Sequence, residues 1–279
     1  MIFIFIYLSL ISDPTDPYLW VKSYPSCLPQ KDKLHSPIDL NDEAVRNDTV
    51  PALMFRGLTR SGTVKNVRDT VVVDFDECMT VSGGWLKYKY RLVQIRFHWG
   101  SKTTNGSEHT LNNRRFPMEM QLVGVAPGYK DVKSALNQQS GVAMIGVFID
   151  IGPVNNVHFK AISDAVSKVP YPGTWEISIC KKTTAVTLIK FFYYQGGLTT
   201  PPCSQTVDWI VLENPVLISS EQVRPCANAH SHCSEATPSA GQFRARHLKK
   251  QALLSALNKC GKIVIKCCQI FRHLFYHFM

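Results

Sequence analysis

Between about residues 36 and 219 the chain is a succession of short apolar runs, each closed by turn residues. The segments "TVVVDF" (70–75), "RLVQIRFHWG" (91–100), "MEMQLVGV" (118–125), "VAMIGVFIDIG" (142–152), "KFFYYQG" (190–196) and "VDWIVLENPVLIS" (207–219) are rich in β-branched and aromatic residues. Such residues suit a pleated, half-buried surface, so each segment predicts a strand. Two segments carry apolar residues three and four apart instead. "DVKSALNQQ" (131–139) and "FKAISDAVSKV" (159–169) predict short helices lying on the sheet. The expected fold class is mostly β, of α+β type, with one large central sheet and short peripheral helices.

Within the second strand, "QIRFHWG" (94–100) places Gln94, Arg96 and His98 on one face and Ile95, Phe97 and Trp99 on the other, because strand side chains repeat every second residue. A histidine at position 96 would complete a His-x-His pair, through which one strand offers two imidazoles to zinc. An arginine stands there.

The 279 residues suffice for one sizeable core, and 45% hydrophobic with 19% charged residues is a globular composition. No low-complexity run or repeat is visible, which excludes a disordered chain or a solenoid. The formal charge of +10 is uneven: from Gln222 onward nine Lys/Arg face the single acid Glu235, a net +8 that leaves +2 for residues 1–221. That tail is assigned no specific partner, since a charge cluster is more often a solvated face; nucleic acid is not expected. Residues 1–19 open on "MIFIFIYLSLIS", which resembles the apolar core of a signal peptide and is too short to span a bilayer; an apolar strand or a wrongly started gene product is the alternative. The stretch past Gly241 alternates basic and apolar residues and is interrupted by Lys266, Arg272, His273 and His277, so no transmembrane span is expected, while an interfacial amphipathic helix stays open.

Nine cysteines are many for a cytosolic chain and odd in number, and the acceptors Asn47-Asp48-Thr49 and Asn105-Gly106-Ser107 agree with a secretory, glycosylated product. Cys226, His230, His232 and Cys233 bring four metal-ligand side chains into eight residues, but the spacing fits no familiar zinc module and a solvated loop is the favoured reading. His35, His109 and His158 need no role beyond hydrogen bonding.

Five segments in order, "SPIDL" (36–40), "VSGG" (81–84), "QIRFHWG" (94–100), "GSEHTLNNRRFPMEMQLV" (106–123) and "GGLTTPPCSQTVDWIV" (196–211), together resemble the α-class carbonic anhydrases over about residues 20–222. The resemblance implies a central twisted, mostly antiparallel sheet and a pocket where three histidines hold zinc and leave a fourth position for water. Its three ligand positions fall at Arg96, His98 and Gln121. It further implies that Gln94 and Glu119 orient the ligand positions, that Glu108 accepts the Thr199 hydroxyl, that Leu198, Thr200, Val123, Val207 and Trp209 wall the pocket, and that Thr63 holds the place of a proton-shuttling histidine. Arg96 is expected to fill the metal's space, neutralised by Glu119 or bonded to Gln121. Extracellular members of the family imply a disulfide between Cys27 and Cys203.

Arginine has no lone pair to give and keeps its charge, and a glutamine amide is a poor substitute for imidazole. The expectation is a carbonic-anhydrase-related protein of the inactive type, closest to the carbonic-anhydrase-like ectodomains of receptor-type tyrosine phosphatases. It would be secreted, hold no cofactor, lack carbonate dehydratase activity and bind an extracellular or cell-surface protein. The alternatives are an active zinc carbonic anhydrase and a truncated or misassembled gene product. Residues 223–279 depart from the family's pattern, so its closing strands are expected to be missing, and "GTWEISICKKTTAVTLIK" (173–190) does not align with it.

Overall fold

The computed structural model describes residues 20, 22–28, 35–41, 51–57, 61–67, 70–75, 79–100, 104–169, 171, 173–179, 186–188 and 190–226. In chain order the elements are β1 (Asp39–Leu40), β2 (Leu53–Arg56), β3 (Ser61–Asn66), β4 (Val71–Phe75), β5 (Thr80–Ser82), β6 (Tyr90–Trp99), β7 (Thr110–Leu111), β8 (Arg114–Arg115), β9 (Met118–Val125), α1 (Val132–Ala135), β10 (Val142–Ile151), α2 (Lys160–Val166), β11 (Trp175–Ile179), β12 (Val186–Leu188), β13 (Phe191–Gly196) and β14 (Val207–Ile218). The main sheet runs β11-β3-β4-β6-β9-β10-β14-β13, with β5, β2 and β12 branching from β6. Its pairs are antiparallel except β10 with β14, and β1-β7-β8 form a separate small sheet. The fold is mostly β with few short helices, as the apolar runs predict.

Every residue of β9 is buried, because this strand lies between β6 and β10 with both sheet faces covered. On one face Tyr90, Leu92, Ile95, Phe97, Met120, Leu122 and Ile145 pack with Ile162, Ala165 and Val166 of α2. On the other, Val123, Met144, Phe148, Val207, Trp209 and Val211 form a second core. A register shift between Leu92 and Gln94 lets Leu92 and Ile95, three residues apart, share the first face. After it Gln94, Arg96 and His98 face the second core.

Both helices are shorter than the periodicity suggests. Asp131 caps α1, its side chain accepting the Ser134 N–H at 2.9 Å, and the chain leaves the helix within one turn to reach Ser140 at φ 58° and Gly141 before β10. The segment 173–190 that resists comparison supplies β11, which pairs with β3, and β12, which pairs with β2. A disulfide joins Cys27 to Cys203, closing a span of 176 residues, and Ser26 Oγ donates to the Pro202 carbonyl beside it. Residues 1–19, Asn47, His230, His232, Cys233 and the rest of the chain beyond Cys226 lie outside the described residues; Cys226 itself is buried, and burial pushes its thiol up to about 12. No helix among the described residues is long and apolar enough to cross a membrane.

Candidate functional site

Antiparallel pairing of β6 with β9 sets Arg96 opposite Gln121 and His98 opposite Glu119. The residues singled out at the ligand positions are therefore cross-strand neighbours above the second core. Trp209, Val207, Val123 and Leu198 are buried in that core, while Thr199 and Thr200 are half-buried at its edge. Thr63 sits two strands away on β3, opposite Asp74.

Arg96 is not held by Glu119 or Gln121, contrary to the sequence expectation. Its Nε donates to Gln94 Oε1 at 2.7 Å, Gln94 Nε2 donates to Asp74 Oδ1 at 2.6 Å, and Lys65 pairs with Asp74 at 2.7 Å. A line of bonds thus crosses from β6 to β4 and β3. Burial lowers the pKa of Arg96, and the charges of Glu108 and Asp74 oppose that shift; an arginine stays protonated across the biological range regardless. Asp74 is Gln94's partner across β4 and β6, a contact that sequence reasoning missed because nothing local says which strands pair.

Glu119 is unavailable to Arg96 because its four acceptor positions are committed. Oε2 accepts the backbone N–H groups of Glu108 and His109, each at 2.9 Å, and Oε1 faces His109 Nδ1 at 2.8 Å and Gln121 Nε2 at 3.0 Å. Burial alone would raise its pKa, but His109 and these donors outweigh it and hold the carboxyl down at about 2. The ring continues outward, His109 Nε2 lying 2.7 Å from the Tyr194 hydroxyl, which donates to Ser36 Oγ at 2.8 Å. Gly146 of β10 gives the carboxylate its room: a Cβ there would lie 3.1 Å from Glu119 Oε1. Gly146, Tyr194 and Ser36 carry no sequence signal of this role.

Glu108 Oε2 accepts from Gln121 Nε2 at 2.7 Å and lies 3.4 Å from His98 Nε2. The latter contact lacks hydrogen-bond geometry, for His98 Nε2 has no hydrogen-bond partner. Among the described residues no bond joins Glu108 to Thr199; Gln121 takes the carboxylate instead. Gln94 and Glu119 each bond the side chain two residues along, Arg96 and Gln121 respectively.

These residues do not fit a zinc ion. His98 Nε2 and Gln121 Oε1 are buried atoms without hydrogen-bond partners, yet the third position holds a guanidinium that would repel the metal. Among the described residues no group of three or more His, Cys, Asp or Glu is placed to hold a metal.

Residues 15–253 match the sequence pattern described as eukaryotic-type carbonic anhydrase. Human carbonic anhydrase 3 is 34% identical over 217 residues, covering 74% of this chain and 81% of that protein. Human carbonic anhydrase-related protein is 31% identical over 210 residues, 71% of each chain. Human receptor-type tyrosine-protein phosphatase zeta is 31% identical over 215 residues, 73% of this chain but 9% of the phosphatase. With the mixed sheet, the cross-strand site and a match spanning most of its length, the chain belongs to the eukaryotic-type carbonic anhydrase family.

Proposed function

We propose that this chain is a carbonic-anhydrase-related protein that does not hydrate carbon dioxide and acts outside the cell as a protein-binding module. The observation that carries this reading is Arg96: a fixed positive charge at the first ligand position, tied by Gln94 and backed by Asp74. Gln121 adds to it, because its amide nitrogen is engaged by two carboxylates and leaves only a weak oxygen for a metal. The Cys27–Cys203 bond supports an oxidising compartment. A receptor's name among the relatives supports a cell-surface protein as partner.

The test is elemental zinc and carbon dioxide hydration measured on the purified full chain, beside the Arg96→His/Gln121→His double variant. The reading expects zinc near zero and background hydration in the parent, and gained zinc in the variant. Stoichiometric zinc with hydration in the parent would overturn it. Secretion into the medium, with a glycosidase-sensitive mass shift, tests the extracellular placement separately.

A further inference from the structure

We propose that the face carrying Lys87, Lys89, Arg91, Lys130 and Lys133 binds a linear sulphated polysaccharide. The entry to β6 reads "KYKYR" (87–91), and the structure sorts this alternation by burial. Tyr90 is fully buried, and Tyr88 packs against the same core with the two rings 6.0 Å apart, edge to face. The basic residues stay at the surface: Lys87 and Lys89 are exposed and Arg91 half-buried, with Lys87 Nζ 5.2 Å over the Tyr88 ring. Where the chain extends into β6, alternate side chains stand about 7 Å apart, so Lys89 and Arg91 are spaced charges, with Lys87 in the bend just before them.

A second segment extends the row. Arg91 Nη2 donates to the carbonyls of Tyr129, at 3.3 Å, and Lys130, at 2.8 Å, which brings the loop before α1 against the strand. Exposed Lys130 and Lys133 follow, the latter in the last turn of α1. The one carboxylate of that loop, Asp131, is engaged by Ser134 as the helix cap. None of the five cations forms a salt bridge among the described residues.

Charge bookkeeping makes the segregation plain. Five cations and Asp131 sum to +4 on this face, whereas residues 1–221 together carry only +2. The remainder of that body is therefore net acidic, and the basic face stands out against it. Such a row attracts a polyanion by displacing its condensed counter-ions. The choice of a sulphated sugar over nucleic acid rests on the extracellular reading above.

The probe is immobilised heparin, titrated with the full chain over a series of salt concentrations. The combined Lys87→Ser, Lys89→Ser, Lys130→Ser and Lys133→Ser variant is compared with a charge-matched tail variant, Lys249→Ser, Lys250→Ser, Lys259→Ser and Lys262→Ser. The proposal expects the face variant to bind at least tenfold more weakly than the parent, and its log–log salt slope to fall by about 3, as counter-ion release by four charges implies. The tail variant should then lose less than a fifth as much affinity as the face variant. Equal or greater loss in the tail variant would show that net charge, not this face, binds, and would overturn the proposal. Stronger, face-dependent binding to phosphatidylserine–phosphatidylcholine vesicles than to heparin would reassign the face to a lipid surface and overturn the sugar. Zinc content of the same samples reports on the non-catalytic reading independently.

Discussion

Replacing Glu119 by glutamine tests the buried centre of the site, because the substitution keeps the shape and removes the charge. One of the two side-chain oxygens becomes an NH₂ group that cannot accept. If it took the place of Oε2, it would face the backbone N–H groups of Glu108 and His109, which have no means of turning. In the place of Oε1 it would face Gln121 Nε2 and His109 Nδ1. The imidazole can answer by moving its proton to Nε2 and donating to Tyr194, so this second arrangement is the cheaper one. It still forfeits the Gln121 bond and turns the two Oε2 bonds from charge-assisted into neutral ones. At about 1 kcal/mol for each weakened bond and 1–3 kcal/mol for the orphaned donor, the loss is on the order of 4 kcal/mol, a large part of the 5–15 kcal/mol that typically holds a domain together. The assay is the urea midpoint followed by tryptophan fluorescence at neutral pH. A loss under about 1 kcal/mol would refute the reasoning.

Acid provides an independent measure of the same group: with its folded pKa depressed from 4.5 to about 2, Glu119 contributes stability that is complete above about pH 4.5 and is lost as pH falls toward 2, on the order of 3 kcal/mol in all. A pH series of urea midpoints should show that fall in the parent and a flatter profile over the same window in Glu119→Gln. Gly146→Ala should destabilise by about 1–3 kcal/mol, since its Cβ would crowd Glu119 Oε1 at 3.1 Å; the denaturation midpoint reads it, and an unchanged midpoint would deny the close fit. Cys203→Ser, by opening the 176-residue span, should cost up to about 5 kcal/mol in the chain-entropy picture, a loss that added reductant reproduces in the parent and does not deepen in the variant.

Much of this molecule is legible in single segments. The alternation in "QIRFHWG" places Arg96 and His98 on one face, and the structure keeps them there. That parity does not extend backward through the strand, because the irregularity between Leu92 and Gln94 resets it; a bulge carries no residue signature here. The strands β11 and β12 escaped the apolar pattern because both are short and lie in a segment broken by Lys181, Lys182 and paired threonines. Long-range pairings were the hardest to read. Arg96 finds Gln94 two residues back on its own strand, and Gln94 in turn reaches Asp74 on β4. Local sequence gives the parity of Asp74 but not its neighbour.

The two replaced ligand positions make sense only together. Glu119 and Glu108 are the carboxylates beside those positions, and a buried carboxylate without donors is expensive. A histidine at position 121 would have one N–H to offer along that direction. The amide of Gln121 has two, and spends one on each carboxylate, at 3.0 and 2.7 Å. Arg96 brings the compensating charge, close enough to Glu108 for the two to interact. Gln94 accepts the Arg96 Nε–H and donates in turn to Asp74. Each supporting residue thus keeps a bond to the side chain two places along, and only the identity of that side chain differs. The two backbone N–H groups and His109 reach Glu119 whatever stands at position 121, so Gln121 adds the fourth bond to Glu119 and a bond to Glu108, and the buried polar centre is satisfied as a network.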